Sequence, residues 1–166
     1  MKSFPTLKSD RLTLRQLDIS DDQQIFLLRS DDAINQFLDR QKANTIKDAQ
    51  IFIKKIIESQ AQYWAINLAN ENQTIGTICL FNHTNDHKSC EIGFELLKQF
   101  QGHGYMQESL QLVVNYAFTI EGIQKIYATV HKNNLHSIKL LEKLSFKASN
   151  ITNKINTPYL EYYFLY

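Results

Sequence analysis

The chain has 166 residues, 43% hydrophobic and 21% charged, an ordinary composition for a globular protein of this length. Its 18 Lys and Arg residues nearly balance its 17 Asp and Glu residues, so the net charge is +1 and gives no reason to expect a nucleic acid or an acidic membrane as partner. No apolar run approaches the ~18 residues of a membrane span, and the first residues lack the apolar core of a signal peptide. We therefore expect a cytoplasmic protein.

The pattern of the chain predicts a single domain over residues 1–166, because no linker, repeat or low-complexity run interrupts it. Cys79 and Cys90 lack the spacing of a metal or redox motif, so we expect both to be small core residues. His83 and His87 are four residues apart but lie in a polar turn, a poor arrangement for binding a metal. We therefore expect no metal site.

The first half of the chain predicts one strand, two helices and a three-stranded meander. Leu12 and Leu14 alternate with polar residues, as in a half-buried strand. Ser20, with Gln23 three residues later, predicts the cap of a first helix, and Thr45 predicts the cap of a second. Alternating apolar residues then predict three antiparallel strands, in the segments YWAINLA, TIGTICLF and CEIGFEL.

The second half predicts a helix after a Gly-His-Gly sequence, followed by a strand, a short helix and a final strand. The first of these helices has apolar residues at helical spacing and ends near Gly122. The later elements are the segments KIYATV, SIKLLEKL and PYLEYYFLY, and a further short strand near Phe146 stays open. Helices and strands in this order predict a mixed α+β fold.

The segment QFQGHGYMQESL places two of the five glycines one residue apart, directly before a helix. A Walker loop would have Lys-Ser or Lys-Thr where Tyr105 follows the last glycine, and a Rossmann fingerprint would have a small residue at Gln107. Neither pattern is present. Free backbone N–H groups of residues 101–106 at a helix N-terminus could bind a pyrophosphate. A plain strand-to-helix turn explains the two glycines equally well.

The wider context of the glycines resembles the GCN5-related N-acetyltransferases (GNAT superfamily). Gln99, Gly102 and Gly104 match the acetyl-CoA loop of that family, and VHKNNLHSIKLLEKLSF is similar to its Asn/Ser block. LKSDRLTLRQLDISDD is similar to the T-x-R-L-x-L-R entry strand of the RimJ/RimL-like branch. The resemblance implies a GNAT-like fold: a mostly antiparallel, twisted sheet of six to seven strands, about four helices, and a splayed strand pair at the acetyl-CoA site.

The resemblance also implies an activity. Family members transfer an acetyl group directly from acetyl-CoA to a primary amine, and the RimJ/RimL-like branch suggests the α-amine at a protein or peptide N-terminus. Small amines such as polyamines or aminoglycosides, and a CoA-binding module without catalysis, are the alternatives. We therefore expect acetyl-CoA and an amine acceptor as partners, without nucleic acid or membrane, for a chain that acts as a monomer or homodimer.

The resemblance assigns roles to particular residues. Glu91 is the first candidate for the general base, because the family often carries a strand glutamate in E-I-G-[YF], and Glu95 is held in reserve. Ser137 is the candidate donor to the leaving sulfur, with Tyr127 as an alternative, although Ser137 and Asn134 could simply cap the following helix. The expected acetyl-CoA contacts are Leu96, Leu97, Gln101, Gly102, His103, Gly104, Tyr105, Met106, Asn134 and Ser137.

Two residues depart from the family pattern. Ser145 stands where the family has a glycine before the phenylalanine, at a helix end that favours a positive φ. Lys98 replaces the proline common before the glycine loop. Neither change removes a residue that is expected to contact a ligand.

Overall fold

The computed structural model describes residues 4–149 and 157–166, which form eight strands and five α-helices. The strands are β1 (Leu7–Lys8), β2 (Leu12–Gln16), β3 (Gln62–Leu68), β4 (Thr74–Phe81), β5 (Ser89–Leu96), β6 (Lys125–His131), β7 (Lys147–Ala148) and β8 (Tyr159–Leu165). The helices are α1 (Asp22–Ser30), α2 (Asp32–Asn35), α3 (Ile46–Glu58), α4 (Tyr105–Thr119) and α5 (Leu135–Lys143). Within these ranges, no helix is both long enough and apolar enough to cross a bilayer.

The strands form one sheet in the order β1-β2-β3-β4-β5-β6-β8-β7. Strand β5 pairs with β6 in parallel, whereas the β1–β2, β2–β3, β6–β8 and β7–β8 pairs are antiparallel. The predicted mixed fold with a mostly antiparallel sheet is therefore confirmed. The sheet has more strands than predicted because β1 and β7 contain only two residues each, too few to show a period of two in the sequence.

The parallel pairing of β5 with β6 is short. It covers three residue pairs, from Ser89–Lys125 to Glu91–Tyr127. Strand β6 continues to His131 and pairs with β8 along its whole length. Ile92 and Gly93 therefore have no partner on β6, as the predicted splayed strand pair requires.

The described residues fall into two compact units. The first unit contains the chain up to Cys79 together with Phe94–Val113, and the second contains Leu80–Gly93 and the described residues from Val114 onward. Strands β4 and β5 and helix α4 each contribute residues to both units. The single domain over residues 1–166 stays a prediction.

In the first unit, helices α1 and α3 contribute apolar faces to a common core. The aliphatic spacing that predicted α3 is observed, with Ala49 and Ile53 fully buried. Partly buried Phe52 and Tyr63 pack against this core, and their rings meet edge to face with centroids 5.6 Å apart. The buried members of the cluster are Leu17, Ile25, Leu28, Ala49, Ile53, Ala65 and Leu97.

One of the two predicted helix caps is correct. The Thr45 hydroxyl accepts a hydrogen bond from the N–H of Asp48, and the Thr45 N–H donates to the Asp48 carboxylate, which forms a capping box at the start of α3. The predicted cap at Ser20 is wrong. Asp18 instead caps a 3-10 turn that leads into α1, and Asp21 closes the box by accepting from the Asp18 N–H at 2.8 Å. Asp and Ser cap helices about equally well, so residue type alone did not distinguish Asp18 from Ser20. Asp18 is the cap because the turn begins at Ile19, directly after it.

Asp21 also forms a buried ion pair with the second arginine of the RLTLR segment. Its carboxylate accepts hydrogen bonds from Arg15 at 2.7 and 2.9 Å and from the Thr74 hydroxyl at 2.6 Å, with only 2% of the residue exposed. Burial alone would raise the pKa of Asp21, but these hydrogen bonds outweigh it and lower the pKa below its ordinary value. The pair ties the start of α1 to β2 and β4, and removing one partner would leave a buried charge unpaired.

Gly76 brings β4 close to the end of β5. A Cβ at this position would lie 2.5 Å from the carbonyl oxygen of Glu95 and 3.1 Å from Cα of Leu96. Because both are backbone atoms, no side-chain rotation can relieve the overlap. We expect Gly76→Ala to lower the free energy of unfolding by about 1–3 kcal/mol, measured by urea denaturation.

Gly122→Ala is the control for Gly76→Ala. Gly122 has a positive φ of 71°, but a Cβ there would meet no atom within 4 Å, so its substitution introduces backbone strain without overlap. A Gly76→Ala variant as stable as the unmodified protein would contradict the close approach of the two strands.

In the second unit, partly buried aromatic rings from α4 and β8 pack against each other and against buried Phe146. Phe164 lies 5.7 Å from Phe118 and 5.3 Å from Phe146, measured between ring centroids. Cys90 is buried as predicted, and burial raises the pKa of its thiol to about 12, so it is not a nucleophile at neutral pH. Ser145 has φ of 66°, which confirms that this helix end requires the conformation that glycine favours.

Candidate active site

The glycine loop, residues 101–104, connects a 3-10 turn (Lys98–Phe100) to the start of α4. Gly102 and Gly104 both have φ of 81°, the left-handed region that glycine adopts without a steric penalty. A Cβ at Gly102 would meet no atom within 4 Å, so the space beside the backbone is open there. Both glycines are therefore required by the shape of the loop, and the loop leaves room for a ligand.

The backbone N–H groups of residues 102–106 donate to no other group among the residues that the structure describes. The expected set began at Gln101, but the N–H of Gln101 donates to the Lys98 carbonyl at 3.2 Å, so the set begins one residue later. These donors lie at the N-terminus of α4, a helix of 15 residues whose dipole favours an anion at that end. The loop therefore offers N–H donors that are suited to bind a phosphate group.

An ion pair that the sequence interpretation missed lies against the glycine loop. Arg11 donates from Nε to Glu108 at 2.8 Å and from Nη1 to the His103 carbonyl at 3.1 Å. Its guanidinium carbon is 4.9 Å from the centre of the Tyr105 ring, which stacks on His103. The signal was present in the sequence, because Arg11 is the first arginine of the entry-strand motif, but nothing in the spacing indicated its partner.

Two of the expected acetyl-CoA contacts lie at the end of β5 and directly after it. The carbonyl of Leu96 accepts a hydrogen bond from the Gln101 side chain at 2.9 Å, which joins the strand end to the glycine loop. The N–H of Leu97 donates to the Ile75 carbonyl at 2.9 Å, and its side chain belongs to the core of the first unit. The backbone N–H of Leu97 is therefore not available to a ligand, and Leu97 is not assigned a contact with acetyl-CoA.

Glu95, the reserve base, is 9% exposed and has strong partners. Both of its carboxylate oxygens accept hydrogen bonds from Arg40, and the Thr77 hydroxyl donates to it at 3.1 Å. The hydroxyl of Tyr63 lies 3.1 Å from that of Thr77, and burial raises the pKa of Tyr63 far above its ordinary value. A carboxylate held by a guanidinium is suited to a structural role, so Glu91 stays the candidate base.

Glu91 and Tyr127 are neighbours in the second unit. They face each other in the register of β5 and β6, and Glu91 accepts a hydrogen bond from the Asn82 amide at 2.8 Å. Burial raises the pKa of Tyr127, and the negative charges of Glu91 and Glu161 raise it further. Tyr127 is therefore protonated at neutral pH, and its hydroxyl donates a long hydrogen bond to the Asn82 carbonyl at 3.4 Å.

Asn134 and Ser137 lie at the start of α5. The Asn134 side chain caps this helix by accepting from the Ser137 N–H at 3.2 Å, as the capping interpretation predicted. The Ser137 hydroxyl is half-buried and makes no hydrogen bond within residues 4–149 and 157–166. The cap therefore uses the Ser137 backbone and leaves its hydroxyl available to a ligand.

No group of three or more His, Cys, Asp or Glu side chains that could hold a metal ion occurs in the described part of the chain. The groups that the structure does offer are an anion-binding loop in the first unit, and a carboxylate with hydroxyl donors in the second. The loop is suited to bind a phosphate-bearing cosubstrate, and the carboxylate and hydroxyl groups are suited to proton transfer, which is chemistry typical of group-transfer enzymes.

The comparison with known proteins identifies this class of enzyme. Residues 11–147 match the acetyltransferase (GNAT) domain family. The chain is 30% identical over 164 residues to "Uncharacterized N-acetyltransferase YoaA" of Bacillus subtilis (strain 168), covering 94% of this chain and 93% of that protein. The chain belongs to the GNAT family, whose members are N-acetyltransferases that use acetyl-CoA.

Solved structures share the fold. The GNAT-family acetyltransferase from Bacillus anthracis superimposes with a TM-score of 0.83 at 23% identity, covering 97% of this chain and 98% of that one. Spermidine N-acetyltransferase from Vibrio cholerae, solved in complex with CoA and spermine, superimposes with a TM-score of 0.80 at 24% identity, covering 95% and 96%. At these identities the likeness extends to the fold alone, so the acceptor of this chain has to be argued from its own residues.

Proposed function

We propose that this chain acetylates the α-amine at the N-terminus of a protein or peptide, as a RimJ/RimL-like enzyme whose single domain spans residues 1–166. The observation that carries the proposal is the glycine loop, whose N–H groups at residues 102–106 have no partner in the part of the chain that the structure describes. Bound acetyl-CoA supplies the acetyl group as a reactive thioester. The backbone of Gly102, His103, Gly104, Tyr105 and Met106 would hold its diphosphate.

Other residues would orient the cosubstrate. The backbone N–H of Leu96 would donate to the oxygen of the acetyl group, and the hydrogen bond from Gln101 to the Leu96 carbonyl supports a fixed orientation of that strand end. The side-chain amide of Asn134 would bind the pantetheine arm while its oxygen caps α5. In these roles the protein would orient acetyl-CoA and donate hydrogen bonds to it, without forming a covalent bond to the acetyl group.

Proton transfer would use side chains of the second unit. Glu91, oriented by Asn82, would take the proton from the acceptor ammonium through a water molecule. The Ser137 hydroxyl would donate to the leaving sulfur, and Tyr127, whose raised pKa keeps it protonated, is the alternative donor. Glu91 and the hydroxyl donors are thus separate side chains, as removal of the ammonium proton and stabilisation of the leaving thiolate require.

The acidic residues of the first unit support an α-amine rather than a polyamine as acceptor. A polycation is recognised by carboxylates whose charge is available, and the two acidic doublets of the chain follow Ser20 and Ser30. Each of these four carboxylates accepts a hydrogen bond within the protein, and two of them, Asp21 and Asp32, pair with a cation. Their partners are Arg15 for Asp21, Gln50 for Asp22, the Ile34 N–H for Asp31 and Lys42 for Asp32.

The alternative is a small amine, as the name of the Vibrio cholerae spermidine N-acetyltransferase illustrates for a relative with this fold.

The test of the acceptor measures release of CoA from acetyl-CoA with four kinds of amine. These are peptides that begin with different residues, the same peptides blocked at the N-terminus but containing a lysine, spermidine, and an aminoglycoside. We expect kcat/KM to be at least about 10²-fold higher for free α-amines. Faster turnover of spermidine would overturn the proposed acceptor, and acetyl-CoA binding without turnover of any amine would indicate a binding module.

A further inference from the structure

The entry-strand motif contains two arginines, and only Arg15 is explained by the fold. Arg11 divides its donors between two elements at the acetyl-CoA loop: Nε and Nη2 bind the carboxylate of Glu108, and Nη1 binds the His103 carbonyl. Glu108 lies in the first turn of α4, whereas His103 lies in the glycine loop. One planar guanidinium therefore joins the loop to the helix that follows it.

Glu108 is itself held in place. The Ser9 hydroxyl donates to its second carboxylate oxygen, and Ser9 Oγ accepts from the Leu12 N–H at 3.0 Å. Burial raises the pKa of Glu108, but the hydrogen bonds from Ser9 and Arg11 outweigh it and lower the pKa, so the carboxylate is ionised at neutral pH. The ion pair is thus anchored to the backbone at the start of β2.

The bond from Arg11 to His103 fixes the direction of a donor. In a trans peptide unit the C=O and the following N–H point in opposite directions, so holding the His103 carbonyl toward Arg11 directs the N–H of Gly104 away from it. That N–H is one of the donors without a partner among the described residues. Glycine backbone is otherwise free to rotate, so a loop with two glycines needs an external contact to keep one orientation.

We propose that Arg11, held by Glu108 and Ser9, is a positioning residue that keeps the N–H groups of the glycine loop directed at the diphosphate of acetyl-CoA. The inference rests on the proposed role of this loop and adds the residues that give it its shape. Arg11 is 49% exposed and Glu108 is 21% exposed, and ion pairs this accessible contribute little to stability. Their effect is therefore on the ligand rather than on folding.

Two variants separate positioning from simple charge attraction. Arg11→Lys keeps the positive charge but loses the fork that reaches both Glu108 and His103. Glu108→Gln removes a negative charge beside the phosphate site, so charge attraction alone predicts tighter binding of acetyl-CoA. Positioning predicts weaker binding in both variants. Arg11→Lys loses the fork, and Glu108→Gln replaces one of the two accepting oxygens with an NH2 group that cannot accept from Ser9 or Arg11.

The experiment measures the Kd of acetyl-CoA by titration calorimetry with the full chain. We expect Arg11→Lys and Glu108→Gln each to raise the Kd roughly tenfold, the scale of one lost hydrogen bond to a charged group. The KM for acetyl-CoA should rise in parallel while kcat at saturation stays within about twofold. Acetyl-pantetheine, which lacks the diphosphate, should bind all variants equally.

Lys42→Gln is the matched control, because Lys42 is also 49% exposed and also pairs with one carboxylate, that of Asp32. It should leave the Kd unchanged, with all variants melting within a few degrees of the unmodified protein. Arg11→Lys with unchanged affinity, or Glu108→Gln with tighter binding, overturns the inference and leaves the proposed function intact. If the unmodified protein itself does not bind acetyl-CoA, the assignment of the glycine loop fails and the inference fails with it.

Discussion

Replacement of Gly104 with valine should raise the Kd for acetyl-CoA by roughly 10- to 100-fold, the loss of one or two hydrogen bonds to charged phosphate groups. Gly104 has φ of 81°, a conformation in which a β-branched residue is a genuine outlier, so the loop has to change shape. A Cβ there would lie 3.5 Å from Nη2 of Arg11, which leaves little room for two further methyl groups on that side. Titration calorimetry with acetyl-CoA measures the effect.

Gly122→Val is the control that separates backbone strain from loss of the ligand site. Gly122 also has a positive φ, 71°, so valine introduces comparable strain, but no acetyl-CoA contact is assigned to it. We expect this variant to lose stability and to keep its affinity for acetyl-CoA. A Gly104→Val variant that binds as tightly as Gly122→Val would remove the glycine loop from the cosubstrate site.

The long elements of the fold were predictable because each has a local pattern of its own. Helix α3 shows its apolar face over 13 residues, β3 and β5 place apolar residues at alternate positions over seven or eight, and β4 ends in a continuous apolar run. Strands β1 and β7 and the four-residue helix α2 contain too few residues to complete a pattern. They depend on neighbours that are distant in the sequence, as the pairing of Leu7 with Leu14 and of Lys147 with Tyr163 shows.

The candidate site divides in the same way. Gly102 and Gly104 were recognisable because a loop that needs positive φ values leaves glycines in the sequence. Arg11 and its partner Glu108 are 97 residues apart, so no local pattern could show that they meet. Glu95 follows the same alternation along β5 as Glu91, and only the folded chain shows that Arg40, 55 residues away, holds it. The spacing of residues in the sequence therefore identifies candidate site residues. The partners that each residue contacts in the folded chain indicate whether its role is structural or functional.

Replacement of Glu91 with glutamine should lower kcat with an N-terminal peptide by about 10²–10⁴ near pH 7, the usual contribution of a general base. Glutamine is isosteric and can still accept the hydrogen bond from Asn82, so the affinity for acetyl-CoA and the stability should not change.

The pH dependence of this loss in kcat also reports on the acceptor. A peptide α-amine has a pKa of about 8, so the deficit in kcat should shrink above that pH, where the amine is already neutral. Spermidine amines, closer to the lysine value of about 10.4, would keep the deficit to higher pH. Measurement of kcat between about pH 6 and pH 10 therefore tests the base and the acceptor together.

Glu161→Gln is the matched control for Glu91→Gln. Glu161 is a half-buried strand glutamate in the same unit, and its negative charge also raises the pKa of Tyr127. If Glu91 acts only through its charge on Tyr127, the two variants should change the rate in the same direction and to a similar extent. If Glu91 removes the proton, only Glu91→Gln should lose the factor of about 10² or more, and only its deficit should diminish as the pH rises. Equal activity of both variants at every pH would show that neither carboxylate is the base.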